Sequence, residues 1–171
     1  MPRWVGVMIF GLALSLAGAA EALAPPPVKP VDTDRVMGRW YEILRTPNEQ
    51  QKNCFGAYQD WMRKGGDYSI RHVCHRDSRE GAQTAITTNA RSLNPQNTEF
   101  EITFFAGLIR ARYWMTDHAD DYSWIIATTE GGHYPKLLAR TPGLPPAEQD
   151  RLKQHMADLG FDVSKLEAVG Q

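Results

Sequence analysis

From residue 40 onward, short runs of apolar and aromatic residues alternate with clusters of Gly, Asn, Asp and Pro. The first run, Trp40, Tyr41 and Ile43, has strand-type residues and stops at Thr46-Pro47-Asn48, a turn signal. Residues 54–62 and 68–75 predict a hairpin about the polar, glycine-containing segment 63–67. Residues 84–91 predict a fourth strand, with Ile86, Thr88 and Ala90 on one face. The clearest period of two lies in residues 98–104, where Phe100, Ile102 and Phe104 point one way and Glu99, Glu101 and Thr103 the other. Residues 110–117, 122–129 and 136–141 complete a series of eight strands, which predicts an antiparallel sandwich or up-and-down barrel. In the sixth strand both Tyr113/Met115 and Trp114/Thr116 are candidates for the inner face.

The period then changes. Pro145-Pro146 followed by Glu148 starts a helix, and Leu152, Met156 and Leu159 form an apolar stripe at i, i+4 and i+7. Gly160 is placed to end it, and residues 161–166 predict a short ninth strand. Upstream, Asp32 and Thr33 signal one helical turn before Gly38, and residues 23–31 form a proline-rich extended lead-in.

Residues 1–22 read as a signal peptide: Arg3 supplies a positive start, residues 4–20 carry no charge, and small residues cluster toward a cleavage site between residues 19 and 24. The apolar run is short for a membrane anchor. No cysteine lies near the cleavage region, so a lipid anchor is not expected; the first is Cys54. The expectation is a periplasmic or secreted protein. In an oxidising compartment the pair Cys54 and Cys74 favours one disulfide over two buried thiols. A turn centred near Lys64 would set them directly opposite each other on neighbouring strands. The 20 acidic and 19 basic residues nearly cancel, which argues against a nucleic-acid partner.

Three motifs then fall in order. Gly38-Arg39-Trp40-Tyr41-Glu42-Ile43, Thr116-Asp117 with Asp120-Asp121-Tyr122-Ser123-Trp124, and Leu137-Leu138-Ala139-Arg140-Thr141-Pro142 resemble the three lipocalin motifs. Residues 160–166 are similar to the tail of bacterial members of that family. The resemblance covers residues 32–171 and implies an all-β, eight-stranded antiparallel up-and-down barrel with one C-terminal helix and a short ninth strand. It further implies that Gly38, Trp40, Thr116, Asp117, Tyr122 and Arg140 are structural, with Arg140 laid across the Trp40 indole at the barrel floor. The implied function is binding of a small hydrophobic ligand, of the fatty acid or lysophospholipid class, for storage or transport. Peripheral membrane contact and a homodimer are the partner arrangements left open.

The candidate ligand-binding residues are Leu44, Tyr58, Ile86, Thr88, Phe100, Ile102, Phe104 and Tyr113, with Arg110 and Arg112 near the expected mouth as partners for an anionic head group. No cofactor or metal is expected: His72 and Cys74 share a strand face, but His75 takes the other, too few for a zinc site. A lipocalin-type isomerase using a free Cys54 or Cys74 thiol and a ligand-free envelope protein are the two competing readings. The first has no paired base or catalytic motif behind it in the sequence. The expectation is a binding protein, not an enzyme.

Overall fold

In the computed structural model, which describes residues 26–170, Asp32 caps a single helical turn, α1 (Thr33–Val36), by accepting from the Asp34 N–H. The signal-peptide reading lies outside the described residues. Gly38, at φ +96°, bends the chain out of α1 into β1 (Gly38–Arg45), a conformation that a side chain would strain. The following strands are β2 (Cys54–Lys64), β3 (Asp67–Arg76), β4 (Gln83–Ser92), β5 (Glu99–Phe104), β6 (Ile109–His118), β7 (Trp124–Thr129) and β8 (Lys136–Ala139). Each pairs antiparallel with the next, and β1 pairs with both β8 and β2, so the sheet closes on itself. This is a closed eight-stranded antiparallel barrel, and closure removes the exposed edges of an open sheet.

The helix α2 (Pro146–Asp158) lies against the outside of the barrel. Its Leu152 and Met156 are fully buried against Ile126, Leu137 and Leu44. Burial of each contributes about 1.5–3 kcal/mol. At its end Gly160 donates to the Ala157 carbonyl and Phe161 to the Met156 carbonyl, the paired bonds that a glycine in the left-handed region makes possible. The predicted strand at 161–166 is corrected. Asp162 caps a 3₁₀ turn over Val163–Lys165, and the last strand, β9 (Glu167–Ala168), is two residues long. It pairs with Leu44 and Arg45 where β1 has left β2, and Gly170 accepts from the Gly56 N–H.

The closed end is built from the three motifs. Trp40 is fully buried and donates from Nε1 to the Val36 carbonyl at 2.7 Å. The Arg140 guanidinium covers its ring and donates to the carbonyls of Arg39 and Arg35. Tyr122 accepts from the Asp32 N–H through its hydroxyl and is sandwiched between Arg35 and His118. Asp117 takes the His118 N–H and the His155 ring of α2, tying the helix to the base, while Thr116 is fully buried beside it. Above this floor Trp61, Tyr68, Phe100, Met115 and Ile125 fill the lower half of the barrel solidly.

Cys54 and Cys74 form a disulfide with a Cα–Cα distance of 5.4 Å. The expected direct opposition is not the register observed. The turn falls on Gly65-Gly66, with Lys64 facing Asp67, and a bulge at residues 56–57 leaves Cys54 facing Arg76. The bond therefore crosses the ladder diagonally.

Candidate functional site

The upper half of the barrel holds a cavity of about 530 Å³ bordered by the β1–β2, β5–β6 and β7–β8 connections and by the facing ends of β3 and β4. Volumes of about 300–1,000 Å³ are usual for small-molecule sites. Ile70, Ile86, Ile102, Phe104 and Ala111 give its wall an apolar surface. Around the mouth Phe105, Leu108, Ile109 and Tyr134 are exposed, Leu108 by 87%.

The cavity floor is different in kind. Glu42, Gln59, His72, Tyr113 and Lys136 all line it, with Arg45 beside them. Strand parity explains Glu42: it stands two residues above Trp40 and so faces inward with it. The Glu42 carboxylate accepts from Gln51 at 2.8 Å, from Lys136 Nζ at 3.2 Å and from Gln59 at 3.2 Å, and Arg45 Nη1 lies 3.6 Å away. Burial alone would raise its pKa. The Lys136 charge, the Gln51 bond, the Arg45 charge and the Gln59 bond together outweigh that and hold it at about 2. His72 bonds Thr88 Oγ1 at 3.1 Å. Burial first, and then the Lys136 charge, lower its pKa to about 4, so its ring is neutral at pH 7. Burial and the Glu42 charge push the Tyr113 hydroxyl up, leaving it a proton donor.

Of the residues singled out in the sequence, Ile86, Ile102, Phe104 and Tyr113 lie on the cavity wall and Arg112 at its border, 3.8 Å from Glu130. Thr88 is buried behind His72. Four others lie elsewhere. Phe100 faces inward but sits in the filled lower half, with its ring edge-on to Trp61 and Tyr68. Leu44 is on the outer face under α2, because the bulge between Glu42 and Leu44 reverses the alternation of β1. Tyr58 also points outward, since Gln59 and Trp61 hold the inner positions of β2; the Arg39 guanidinium packs 3.8 Å from its ring. Arg110 is on the outer face of β6 and pairs with Glu101. In β6 it is Tyr113 and Met115 that face inward.

Sequence reasoning missed Glu42, Arg45, Gln59, His72 and Lys136 as one group. The available signal was Glu42, a carboxylate in register with an inward tryptophan, which requires a cation opposite it. Lys136 stands out as a charge entering an apolar strand, but only the barrel closure that pairs β1 with β8 brings the two together.

Comparison with known proteins agrees with this geometry. Residues 31–171 match the family model of the lipocalin-like domain. The chain is 27% identical to apolipoprotein D of Mus musculus over 157 residues, covering 86% of this chain and 81% of that protein. It is also 27% identical to temperature-induced lipocalin-1 of Arabidopsis thaliana over 153 residues, covering 84% of this chain and 81% of that protein. Among solved structures, the major allergen Per a 4 from cockroaches superposes with a TM-score of 0.67 at 18% identity, covering 89% of this chain and 96% of the allergen.

Proposed function

The chain belongs to the lipocalin-like family, whose members generally bind small hydrophobic ligands, and from that premise we propose that it is an exported carrier of a single-chain lipid of the fatty acid or lysophospholipid class. The observation that carries the reading is the cavity itself: apolar on its walls, sealed below by a packed aromatic floor, and open at one end. Export through a cleaved leader to the periplasm or the exterior is supported by the sequence of residues 1–22 and by the Cys54–Cys74 bond, which persists only in an oxidising compartment. The same bond argues against an isomerase built on either thiol, because both cysteines are consumed in it. The exposed apolar residues of the mouth would suit peripheral contact with a membrane surface or a second copy during transfer of the lipid.

The test is displacement of an environment-sensitive apolar probe by fatty acids and lysophospholipids of increasing chain length. Saturable displacement, with affinity rising over a range of chain lengths, supports the carrier. Failure of every chain length to compete overturns it and favours a ligand-free structural role.

A further inference from the structure

The cavity floor has more hydrogen-bond donors than acceptors. Glu42 is the carboxylate on that floor, and its two oxygens already take Gln51, Gln59 and Lys136. The donors are not used up in return. Arg45 Nη1 and the Tyr113 hydroxyl are buried with no hydrogen-bond partner among the described residues. The Arg45 side chain is 6% exposed and Tyr113 is 8% exposed, and both border the cavity. Arg45 is otherwise held rigidly, with Nε on Glu167 and Nη2 on the carbonyls of Gln51 and Cys54. Two cations thus face one carboxylate at the floor, while Glu167 lies on the outer side with its side chain 44% exposed and screened by water. Buried donors without acceptors, in a pocket with a positive balance, define the chemistry that would complete them: a carboxylate.

Resting on the carrier reading above, we infer that the ligand is a long-chain carboxylic acid bound head first. Its carboxylate sits at the floor on Tyr113 Oη, Arg45 Nη1 and Lys136 Nζ, and its alkyl tail runs outward along Ile102 and Phe104. Tyr113 is four residues down β6 from Ile109 at the mouth, a depth of about 10 Å for a tilted strand. A longer tail emerges between Ile86, Phe105, Leu108 and Ile109, which explains why the rim presents apolar side chains where solvent alone would favour polar ones.

The experiment compares palmitic acid with methyl palmitate as competitors for an apolar fluorescent probe, in the wild type and in Tyr113→Phe and Lys136→Met. Head-first binding predicts that the acid competes about tenfold or more better than the ester. It also predicts that each substitution weakens the acid several-fold and the ester by less, so that the preference for the acid shrinks. Tyr113→Phe removes a hydroxyl that makes no well-formed hydrogen bond in the fold, only a polar contact with Gln59, so its melting temperature should stay close to the wild type and its result is free of unfolding. Stearic acids carrying a nitroxide at carbon 5 or carbon 16 give the orientation. The carbon-16 label should broaden the Leu108 and Ile109 amide resonances more than that of Gln59, and the carbon-5 label should do the reverse. Equal affinity for acid and ester, or the opposite broadening order, overturns the inward carboxylate while leaving the carrier reading intact. Failure of both acid and ester to compete overturns the two together.

Discussion

The guanidinium of Arg140 lies 3.7 Å from the centroid of the Trp40 ring, at the end of β8 and the start of β1 respectively. It also donates to two backbone carbonyls, those of Arg39 and Arg35, so one side chain joins the first strand, the preceding helical turn and the last barrel strand. Arg140→Lys keeps the charge but loses the planar stack and the fork of donors. It should lower unfolding stability by about 1–2 kcal/mol. Trp40→Ala, which empties the fully buried floor, should cost about 3–5 kcal/mol. Urea denaturation of both variants measures the two effects, and an unchanged midpoint for Trp40→Ala would contradict its role as the floor.

The ion pair of Glu42 and Lys136 should reveal itself in a double-mutant cycle. Lys136→Met leaves a buried carboxylate short of its cation and should cost about 3 kcal/mol or more. Glu42→Gln made in addition should recover most of that loss, because the carboxylate that lost its cation is then neutral and Arg45 keeps its bond to Glu167. Additive losses in the cycle would mean that the two groups do not interact.

Acidification should lower the stability of the fold in two stages. His72 has a lower pKa in the fold, about 4, than in the unfolded chain, about 6.5, so between those values the unfolded chain binds the extra proton and stability falls with falling pH. Glu42 then repeats the effect between about 4.5 and about 2. Each group contributes about 1.4 kcal/mol per pH unit within its window. In melting curves collected from pH 7.5 to 4.5, His72→Gln should flatten the first stage. A wild-type melting temperature constant over that range would sink the assignment.

Reduction of the Cys54–Cys74 bond, or the double substitution Cys54→Ser/Cys74→Ser, frees a loop of 20 residues. Thermal unfolding should show a loss of about 3 kcal/mol from the greater freedom of the unfolded chain. Probe binding should persist below the lowered melting temperature, since the cavity wall is closed by the sheet.

Phe104 is partly buried on the cavity wall near the mouth. Phe104→Glu should weaken lipid binding at least tenfold by setting a charge beside the alkyl tail, without unfolding the barrel. Titration of the variant with the apolar probe checks this, and wild-type affinity would remove Phe104 from the site.

How much was legible in the sequence depended on whether the alternation ran unbroken. In β5 it did, and Phe100, Ile102 and Phe104 all face inward as their spacing requires. In β1 one bulge turns Leu44 out and Arg45 in, and nothing local marks it: Ile43-Leu44 reads equally well in either parity. β6 carries large side chains on both faces, so only the neighbouring strands decide that Tyr113 and Met115 are interior. The charged floor was hidden for a further reason. Isolated charges in a strand ordinarily mark its wet face, and the pairing of Glu42 with Lys136 spans 94 residues. The end of the chain was misplaced because Phe161 and Leu166 are apolar for packing under the helix, while the strand itself is set by backbone bonding to Leu44 and Arg45.

The two-residue strand β9 fills the gap where β1 and β2 diverge, with the Val169 N–H on the Ile43 carbonyl. The opening strand of the barrel is thus clasped on one side by β8 and on the other by the closing residues of the domain. Such a seam cannot be zipped until β8 and β9 have both been made, and pairing between strands so far apart in the chain is slow.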